Sequence, residues 1–397
     1  MKRSRQRVCI LGATGSVGTS TLDVIARHPD RFEVFALTAH SRIDDLFAQC
    51  AQWRPRFAVL PDAASAADLR ARLKAHGVAT EVLAGAQALC DLAAHPDVDS
   101  VMAAIVGAAG LAPCLAAARA GKRLLLANKE ALVVGGALFM RAVHEGGASL
   151  LPIDSEHSAI FQCLPEDPAA WPSRIDHILL TSSGGPFRQR DPATMASITP
   201  DEACAHPNFA MGRKISVDSA TMMNKALEVI EARWLFDLQP EQVKVLIHPQ
   251  QIVHSMVVCR DNSVLAQLGT PDMRVPIAYG LSFPQRIESG AGQLDFGGIA
   301  ALSFEPPDHA RYPGLALAWE TLAGPQGSTT VLNAANEVAV SAFLAGTIRF
   351  DQIHSVNARM IERVTVRAGA CDSIQALIEL DARTRTEALQ FVKGLSA

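Results

Sequence analysis

Two carboxylates stand two residues apart in the segment Ile153-Asp154-Ser155-Glu156-His157, directly after an apolar run. In an extended chain, residues i and i+2 point to the same side, so Asp154 and Glu156 converge. Converging carboxylates repel each other unless a cation lies between them. The pair therefore predicts a site for a hard divalent metal, Mg²⁺ or Mn²⁺. A helix-capping acid pair on the surface would have the same sequence.

A third carboxylate, Glu228, supports the metal interpretation. Apolar residues recur at three- and four-residue intervals through residues 216–236, which predicts one helix over this segment. Asn224 and Glu228 are spaced i, i+4 and are therefore neighbours on one flank of that helix, with Thr221 and Lys225 further round. This face offers an amide, an ammonium and a carboxylate together. A solvent-exposed helix face would show a similar pattern.

A glycine-rich turn, Gly12-Ala13-Thr14-Gly15-Ser16-Val17-Gly18, follows the first apolar run and precedes a helical stretch. Its spacing is GxxGxxG rather than the usual GxGxxG. Glycines at such a turn let the backbone approach a pyrophosphate, and the new helix offers unpaired N–H groups to the anion. We therefore expect a dinucleotide site, against the alternative of a tight structural turn.

The end of the second predicted strand indicates which dinucleotide binds. NAD-binding proteins usually carry an acid there for the ribose 2′-hydroxyl, whereas this chain has Ala39-His40-Ser41-Arg42. A cation and a hydroxyl suit a 2′-phosphate, which favours NADP(H). The alternative is that Arg42 is a solvated residue at a helix start.

Two loops and one strand end offer further ligand-binding groups. Ser182-Ser183-Gly184-Gly185-Pro186 can turn tightly and present hydroxyl and N–H groups. The segment 206–212 combines Phe209 and Met211 with Gly212, and exposing such apolar side chains is costly unless they close over a ligand. The segment therefore predicts a mobile lid, or else a loop docked on the core. Asn128-Lys129-Glu130 follows a predicted strand, so Lys129 can reach a substrate oxygen, unless this is simply a helix start capped by Asn128.

The elements that position these residues change in character near residue 154. Before it, β-like runs alternate with helical stretches, which predicts an α/β fold with a Rossmann-like doubly wound parallel sheet. After it, loops rich in Pro, Gly and Ser and a predicted hairpin at Asp261-Asn262 indicate an α+β region. We predict a dinucleotide-binding domain over 1–150, a catalytic domain over 151–283 with a lid at 206–214, a linker over 284–311 and a C-terminal helical bundle over 312–397.

Composition restricts the function classes. The 397 residues carry 36 basic and 40 acidic side chains, a net charge of −4, which argues against nucleic acid as a partner. The 49% apolar fraction is that of a globular protein. The eight cysteines are widely spaced without a CxxC pair, and no apolar window reaches the ~18 residues of a membrane span. We expect a soluble, cytoplasmic protein with reduced thiols and no membrane partner.

Taken in order, these motifs closely resemble the 1-deoxy-D-xylulose 5-phosphate reductoisomerase family. The matching segments are ILGATGSVG, MAAIVGAAGL, LANKEALV, LPIDSEHSAIFQ, TSSGGPF, HPNFAMGRKISVDSATMMNKALEVIEA, IHPQQIVHSMV and VLNAANEVAV. They run through nearly the whole chain, and the combination of LANKE, DSEH and the long HPN segment is highly specific. Many members carry Trp where this chain has Phe209, and the residues at 40–42 also differ from those of some members.

The resemblance implies an NADPH-dependent oxidoreductase that isomerises and reduces 1-deoxy-D-xylulose 5-phosphate to 2-C-methyl-D-erythritol 4-phosphate in non-mevalonate isoprenoid biosynthesis. It implies a homodimer and a Mn²⁺ or Mg²⁺ ion that acts as a Lewis acid on Asp154, Glu156 and Glu228. Lys129 would join these three as a catalytic residue. The residues implied to contact the substrate are Lys129, Ser155, Glu156, Ser183, His206, Ser219, Asn224, Lys225 and Glu228. Those implied to contact NADPH are Thr14, Gly15, Ser16, Val17, His40, Ser41, Arg42, Asn128, Glu130 and Gly212.

Two other function classes remain open on the residues alone. The GATGxVG start also occurs in NADP-dependent semialdehyde dehydrogenases, which need an activated cysteine; the best-placed thiol here is Cys163, in an apolar helical run. A Rossmann-type redox sensor would bind NADP(H) without catalysis, but it would not need three carboxylates. Retained activity in Cys163→Ser would exclude the first class, and metal titration would test the second.

Overall fold

The computed structural model describes residues 5–205 and 212–395 of the chain. They form two compact units. The first unit contains residues up to 131 together with 139–158 and 272–293, and the second contains 132–138, 159–271 and the residues from 294 onward.

The described residues form eleven β-strands and sixteen α-helices, numbered here in chain order. The strands are β1 (Gln6–Leu11), β2 (Phe32–Thr38), β3 (Phe57–Leu60), β4 (Glu81–Ala84), β5 (Ser100–Ala103), β6 (Arg123–Leu126), β7 (Ser149–Pro152), β8 (Ile175–Ser182), β9 (Val243–Ile247), β10 (Val253–Cys259) and β11 (Val264–Leu268). The helices of the first half are α1 (Ser16–Arg27), α2 (Ile43–Trp53), α3 (Ala63–Ala75), α4 (Ala86–Ala93), α5 (Leu111–Arg119), α6 (Lys129–Gly146), α7 (Ser155–Cys163) and α8 (Trp171–Arg174). Those of the second half are α9 (Pro200–Cys204), α10 (Arg213–Ala220), α11 (Met223–Leu235), α12 (Arg274–Ser282), α13 (Leu317–Ala323), α14 (Ser328–Leu344), α15 (Phe350–Arg363) and α16 (Ile374–Leu395).

The first unit contains a seven-stranded parallel sheet in the order β4-β3-β2-β1-β5-β6-β7. Its strands are short apolar runs, and every residue of β3 and β5 is buried, as expected for a sheet covered on both faces. The chain moves outward from β1 in one direction to β4 and then returns to place β5 on the other side of β1. This order places a ligand crevice at the carboxyl end of β1, where the winding reverses. The Rossmann-like prediction is confirmed.

The second unit contains a four-stranded mixed sheet in the order β11-β10-β8-β9. Strands β10 and β11 flank the predicted hairpin turn, which forms at Asn262, whose φ of 66° is the left-handed value that such a turn requires. The central strand β8 was not predicted. Its sequence, IDHILLTS, places Asp176 and His177 in an otherwise apolar run, which obscures the strand pattern.

The predicted single helix over residues 216–236 is wrong, because the chain breaks between α10 and α11. Met222 adopts a left-handed conformation, with φ 61° and ψ 11°. A non-glycine residue pays roughly 1 kcal/mol or more for this conformation. The Met222 side chain is 1% exposed, and burying it gains about 1.5–3 kcal/mol, which offsets that cost. The apolar stripe hides the break because both helices bury the same kind of face.

Helices dominate the chain from residue 313 onward, as predicted. Before them, the segment predicted as a linker contains one short 3₁₀ turn, Phe296–Gly298, and a two-residue bridge to β9. In that bridge the Ile247 N–H donates to the Glu305 carbonyl at 2.8 Å, and the Glu305 N–H donates to the Ile247 carbonyl at 3.0 Å. The segment is therefore tied to the sheet at its far end.

All eight cysteines lie in the described part of the chain, and none of them forms a disulfide there. Burial raises the pKa of the thiols of Cys9, Cys50 and Cys114 to about 12, so they stay protonated at neutral pH. Among the described helices, none combines the length and the apolar character that crossing a membrane would require.

Candidate active site

The glycine turn after β1 is shaped for close backbone approach. Gly12 has a φ of +82°, and a Cβ built there would lie 2.6 Å from the carbonyl oxygen of Ala104. A Cβ on Gly18 would lie 2.5 Å from the carbonyl oxygens of both Gly12 and Ala13. Helix α1 starts at Ser16, and no side chain caps its first turn at Gly15, so the N–H groups there are available to an anion. The turn fits a pyrophosphate.

The predicted 2′-phosphate residues follow β2 directly and are exposed. Arg42 is the N-cap residue of α2 without a side-chain capping bond, and its guanidinium lies 3.6 Å from the Asp45 carboxylate, with 60% of the side chain exposed. A pair so exposed contributes little to stability, so the guanidinium can leave it for a ligand. His40 and Ser41 are exposed as well.

Asn128 holds the start of α6. Its side-chain oxygen accepts from the Ala131 N–H at 2.6 Å, and its amide donates to the carbonyls of Ile105 and Gly107. The interpretation of Asn128 as a helix cap is confirmed. The residue is 1% exposed, and its predicted contact with NADPH stays a prediction. Glu130, predicted beside it, is 6% exposed.

Lys129 and Asp154 meet at the carboxyl edge of the parallel sheet. Lys129 follows β6 and Asp154 follows the adjacent strand β7, and their Nζ and Oδ2 atoms are 2.5 Å apart. The side chains are 10% and 17% exposed, so the pair is largely removed from water. Ser155 donates its hydroxyl to the Glu156 carboxylate at 2.6 Å. The structure therefore brings these four predicted residues to one edge of the first unit.

In the second unit, the loop after β8 packs against the end of α10. Gly185 has a φ of +65°, and a Cβ there would lie 2.7 Å from the Ser219 carbonyl oxygen. The Gly185 N–H donates to the Ser183 hydroxyl at 3.1 Å, and Ser183 is 9% exposed. The predicted substrate residues Ser183 and Ser219 thus lie on neighbouring, tightly packed segments.

The predicted cluster on α11 is present although the helix is shorter than expected. Asn224 donates to Glu228 at 2.5 Å, and the Lys225 ammonium donates to the same carboxylate. The side chains of Lys225 and Glu228 are 2% and 1% exposed. Burial lowers the pKa of the His254 imidazole in the same unit, and the Lys225 charge lowers it further. The solvated-face alternative for this helix is wrong.

Two predicted residues, His206 and Phe209, lie outside the described residues, and so does most of the predicted lid. Gly212, predicted to contact NADPH, is described and is the exposed N-cap residue of α10.

Sequence models of one enzyme match the chain in three successive parts. The model of 1-deoxy-D-xylulose 5-phosphate reductoisomerase matches residues 8–136, its C-terminal domain matches 150–236, and the DXP reductoisomerase C-terminal domain matches 268–387. The enzyme of that name from Aromatoleum aromaticum is 62% identical over 382 residues, 96% of this chain and 94% of its own length. The chain belongs to the 1-deoxy-D-xylulose 5-phosphate reductoisomerase family. The resemblance inferred from the motifs is confirmed.

Other members of this family extend the likeness. The Burkholderia pseudomallei enzyme of strain 668 is 57% identical, over 99% of this chain and 98% of its own length. A crystal structure of DOX-P reductoisomerase with NADPH, fosmidomycin and magnesium has a TM-score of 0.94 at 43% identity, covering 98% of each chain. The Zymomonas mobilis reductoisomerase in complex with NADPH has a TM-score of 0.90 at 44% identity, covering 98% of each chain.

Sequence reasoning missed several buried polar residues of the family fold. His157, three residues after the predicted ligand Asp154, is buried. Glu231, three residues after Glu228 and the second choice of ligand from the sequence should Glu228 prove to be a surface residue, is buried as well. Their i, i+3 spacing was a usable signal. Asp218 is 1% exposed and accepts from the Asn336 amide at 2.7 Å, 118 residues away. No local pattern in the sequence predicts that contact.

Proposed function

We propose that this protein catalyses the NADPH- and divalent-metal-dependent isomerisation and reduction of 1-deoxy-D-xylulose 5-phosphate to 2-C-methyl-D-erythritol 4-phosphate. The observation that carries the proposal is the 62% identity to a reductoisomerase over 96% of this chain. The glycine turn at β1 and the charged residues after β6 and β7 supply what the reaction requires. The relatives are reductoisomerases rather than semialdehyde dehydrogenases or sensors, so neither alternative interpretation is supported.

The first unit fits NADPH by its backbone. The turn has no room for a side chain at Gly12, which lies against Ala104, or at Gly18, which lies against the carbonyls of Gly12 and Ala13. The first turn of α1 has no side-chain cap. We assign the pyrophosphate to residues 14–17 and the 2′-phosphate to residues 40–42, where Arg42 supplies the charge. A structurally similar reductoisomerase is known with NADPH bound.

The carboxylates fit a hard divalent cation by their chemistry. Asp154 and Glu156, together with Glu228, offer only oxygen donors, the ligand type that Mg²⁺ and Mn²⁺ prefer. Lys129 contacts Asp154 and Lys225 contacts Glu228, so the protein already places positive charge beside two of the three acids. A DOX-P reductoisomerase of similar structure contains magnesium. We propose that manganese serves as well.

When bound, the cation polarises the substrate's oxygens and NADPH supplies the hydride. The chain's own groups bind and orient the rest. The Lys129 ammonium, held by Asp154, is placed to donate to a substrate oxygen, and Ser183, Ser219, Asn224 and Lys225 are assigned to the remainder of the substrate, chiefly its phosphate. Binding energy from that remote phosphate helps to orient the reacting carbons.

We propose a cytoplasmic homodimer. Free thiols in every described cysteine position suit a reducing compartment. Strand β11 lies at the edge of its sheet and carries Val264 and Leu265 with 52% and 46% exposure. An apolar sheet edge is a typical surface for pairing with a second copy. Sedimentation of the wild type and of Leu265→Lys tests this: a dimer weakened by the substitution supports the proposal, and a monomeric wild type contradicts it.

The activity test follows NADPH absorbance with 1-deoxy-D-xylulose 5-phosphate as substrate. We expect oxidation of NADPH that stops on chelation, resumes on addition of Mg²⁺ or Mn²⁺, and yields the branched methylerythritol phosphate as product. Absence of turnover with either metal, or turnover unaffected by chelator, would contradict the proposed function.

A further inference from the structure

Tyr312 reaches the loop that carries Ser183. The residue lies just before the 3₁₀ turn Pro313–Ala316, and its ring is 1% exposed within the core of the second unit. Its hydroxyl donates to the carbonyl oxygen of Gly184 at 2.5 Å, across 128 residues of sequence. A buried phenol normally donates its O–H to a specific acceptor. Here the acceptor is a backbone carbonyl in a loop assigned to substrate binding.

The bond acts on a single peptide unit. The Gly184 carbonyl and the Gly185 N–H belong to the same planar peptide, and that N–H donates to the Ser183 hydroxyl at 3.1 Å. The hydrogen bonds therefore run in one direction, from the Tyr312 hydroxyl through the peptide to the Ser183 oxygen. Bonds arranged in this way polarise one another, so the first strengthens the second.

The direction of this chain determines how Ser183 can bind. Because its oxygen accepts from the Gly185 N–H, the Ser183 hydroxyl proton points away from that N–H, which is the orientation in which the hydroxyl donates to an anionic oxygen of a bound substrate. The loop has little other freedom, since Gly184 and Gly185 both have positive φ and Gly185 lies against the Ser219 carbonyl. If the Gly184–Gly185 peptide rotated, the Gly184 carbonyl would face the Ser183 hydroxyl in place of the Gly185 N–H. That carbonyl would then compete with the ligand for the hydroxyl proton.

We propose that Tyr312 is a positioning residue for the substrate's phosphate, acting through the Gly184–Gly185 peptide to hold Ser183 as a hydrogen-bond donor. This inference rests on the proposed function, in which Ser183 contacts the substrate. Burial raises the pKa of the Tyr312 hydroxyl to about 12, so the phenol remains a donor throughout the neutral range.

A double-mutant cycle tests the proposal in the full-length protein. The variants are Tyr312→Phe, Ser183→Ala and the two combined, with Tyr279→Phe, the same change at the chain's other tyrosine, as the control. The quantities measured are kcat, the KM for 1-deoxy-D-xylulose 5-phosphate, the KM for NADPH and the melting temperature. Kinetics are run well below the lowest melting temperature of the set, so that a less stable variant is still measured folded.

We expect Tyr312→Phe and Ser183→Ala each to raise the sugar-phosphate KM by about 3- to 10-fold, the range for one lost hydrogen bond. The NADPH KM should remain within twofold, and the control should match the wild type. The double variant should be no worse than Ser183→Ala alone, because both substitutions interrupt one chain.

If the wild type is active, the proposed function stands, and three results would still contradict the inference about Tyr312. They are an unchanged KM in Tyr312→Phe with only a lower melting temperature, effects that multiply in the double variant, and no effect of Ser183→Ala. Failure of the proposed function is a separate result, since the wild type itself would then be inactive.

Discussion

Gly185 is the residue at which the substrate loop has the least room. Its φ of +65° disfavours a side chain, and a Cβ would lie 2.7 Å from a carbonyl oxygen of α10. Gly147 has the same φ but nothing within 4 Å of its Cβ position. The two glycines therefore separate the cost of the backbone angle from the cost of the close approach.

We expect Gly147→Ala to lower the free energy of unfolding by about 1 kcal/mol, from the backbone angle alone. Gly185→Ala should cost more and should also lower kcat/KM for the sugar phosphate by about 10- to 100-fold, because a shift of about 1 Å in positioning groups has effects of that order. Urea titration and steady-state kinetics on both variants measure this. If the two variants lost equal stability and Gly185→Ala kept wild-type kinetics, the loop would be able to move and accommodate a side chain at position 185.

Glu228 is both a proposed metal ligand and the partner of a buried lysine. Glu228→Gln should reduce metal-dependent kcat by more than about 100-fold, beyond the usual effect of altering a partner of a metal ligand. It should also lower the melting temperature, because it removes the carboxylate charge that the buried Lys225 ammonium contacts, a loss of about 3–5 kcal/mol for such pairs.

The double variant Lys225→Gln/Glu228→Gln should recover part of that stability and stay inactive, while NADPH affinity is retained in both. The exposed Glu241→Gln is the matched control and should resemble the wild type. Near-normal activity of Glu228→Gln at ordinary Mn²⁺ concentrations would remove Glu228 from the metal site and make Glu231 the next residue to test.

At the scale of single elements, the start of α2 tests the cofactor preference. Arg42→Ala should lower kcat/KM for NADPH by about 10-fold or more, the value of a charge-assisted hydrogen bond, and should leave the value for NADH unchanged. Arg5 lies before the opposite end of the neighbouring strand β1 and is 51% exposed, so Arg5→Ala is the control. Equal use of NADH and NADPH by the wild type would contradict the Arg42 assignment.

The elements that the sequence predicted well are those whose own residues decide their conformation. Strands β1, β3 and β9 are short apolar runs between turns, and α1 has an amphipathic pattern, so local composition was sufficient. Strand β4 is as short as β3 but was missed because its sequence, EVLA, begins with an exposed glutamate and buries only Val82, whereas all four residues of β3 are apolar and buried. The break at Met222 was missed because one left-handed residue does not disturb the periodic burial of its neighbours.

The candidate site divides in the same way. The Asn224–Glu228 contact follows from helical spacing, and the meeting of Lys129 with Asp154 follows from adjacent parallel strands. The contacts of Tyr312 with Gly184 and of Asn336 with Asp218 join residues more than a hundred positions apart. They depend on how the second unit packs, which no local pattern encodes.

At the scale of the whole molecule, two histidines make stability depend on pH. Burial lowers the pKa of His254 and His354 below their ordinary 6.5. The unfolded chain therefore binds more protons than the folded protein between the lowered pKa and about 6.5. Stability should fall as the pH drops from about 7 through this window, by up to about 1.4 kcal/mol per pH unit for each histidine, and the effect ends below the folded pKa.

Urea unfolding between pH 7.5 and pH 5 measures this slope. His354→Gln should reduce the slope, whereas the same change at the exposed His309 should leave it as in the wild type. A wild-type slope of zero, or an unchanged slope in His354→Gln, would contradict the assignment.

The thiol at the centre of β1 offers a way to time the opening of the parallel sheet. Cys9 has no exposed surface, and its raised pKa keeps it in the unreactive thiol form while β1 is paired on both sides. A maleimide can reach it only after β1 has separated from β2 or β5. The labelling rate of this one natural thiol, compared with that of the free cysteine, thus gives the fraction of molecules in which the nucleotide-binding sheet is open.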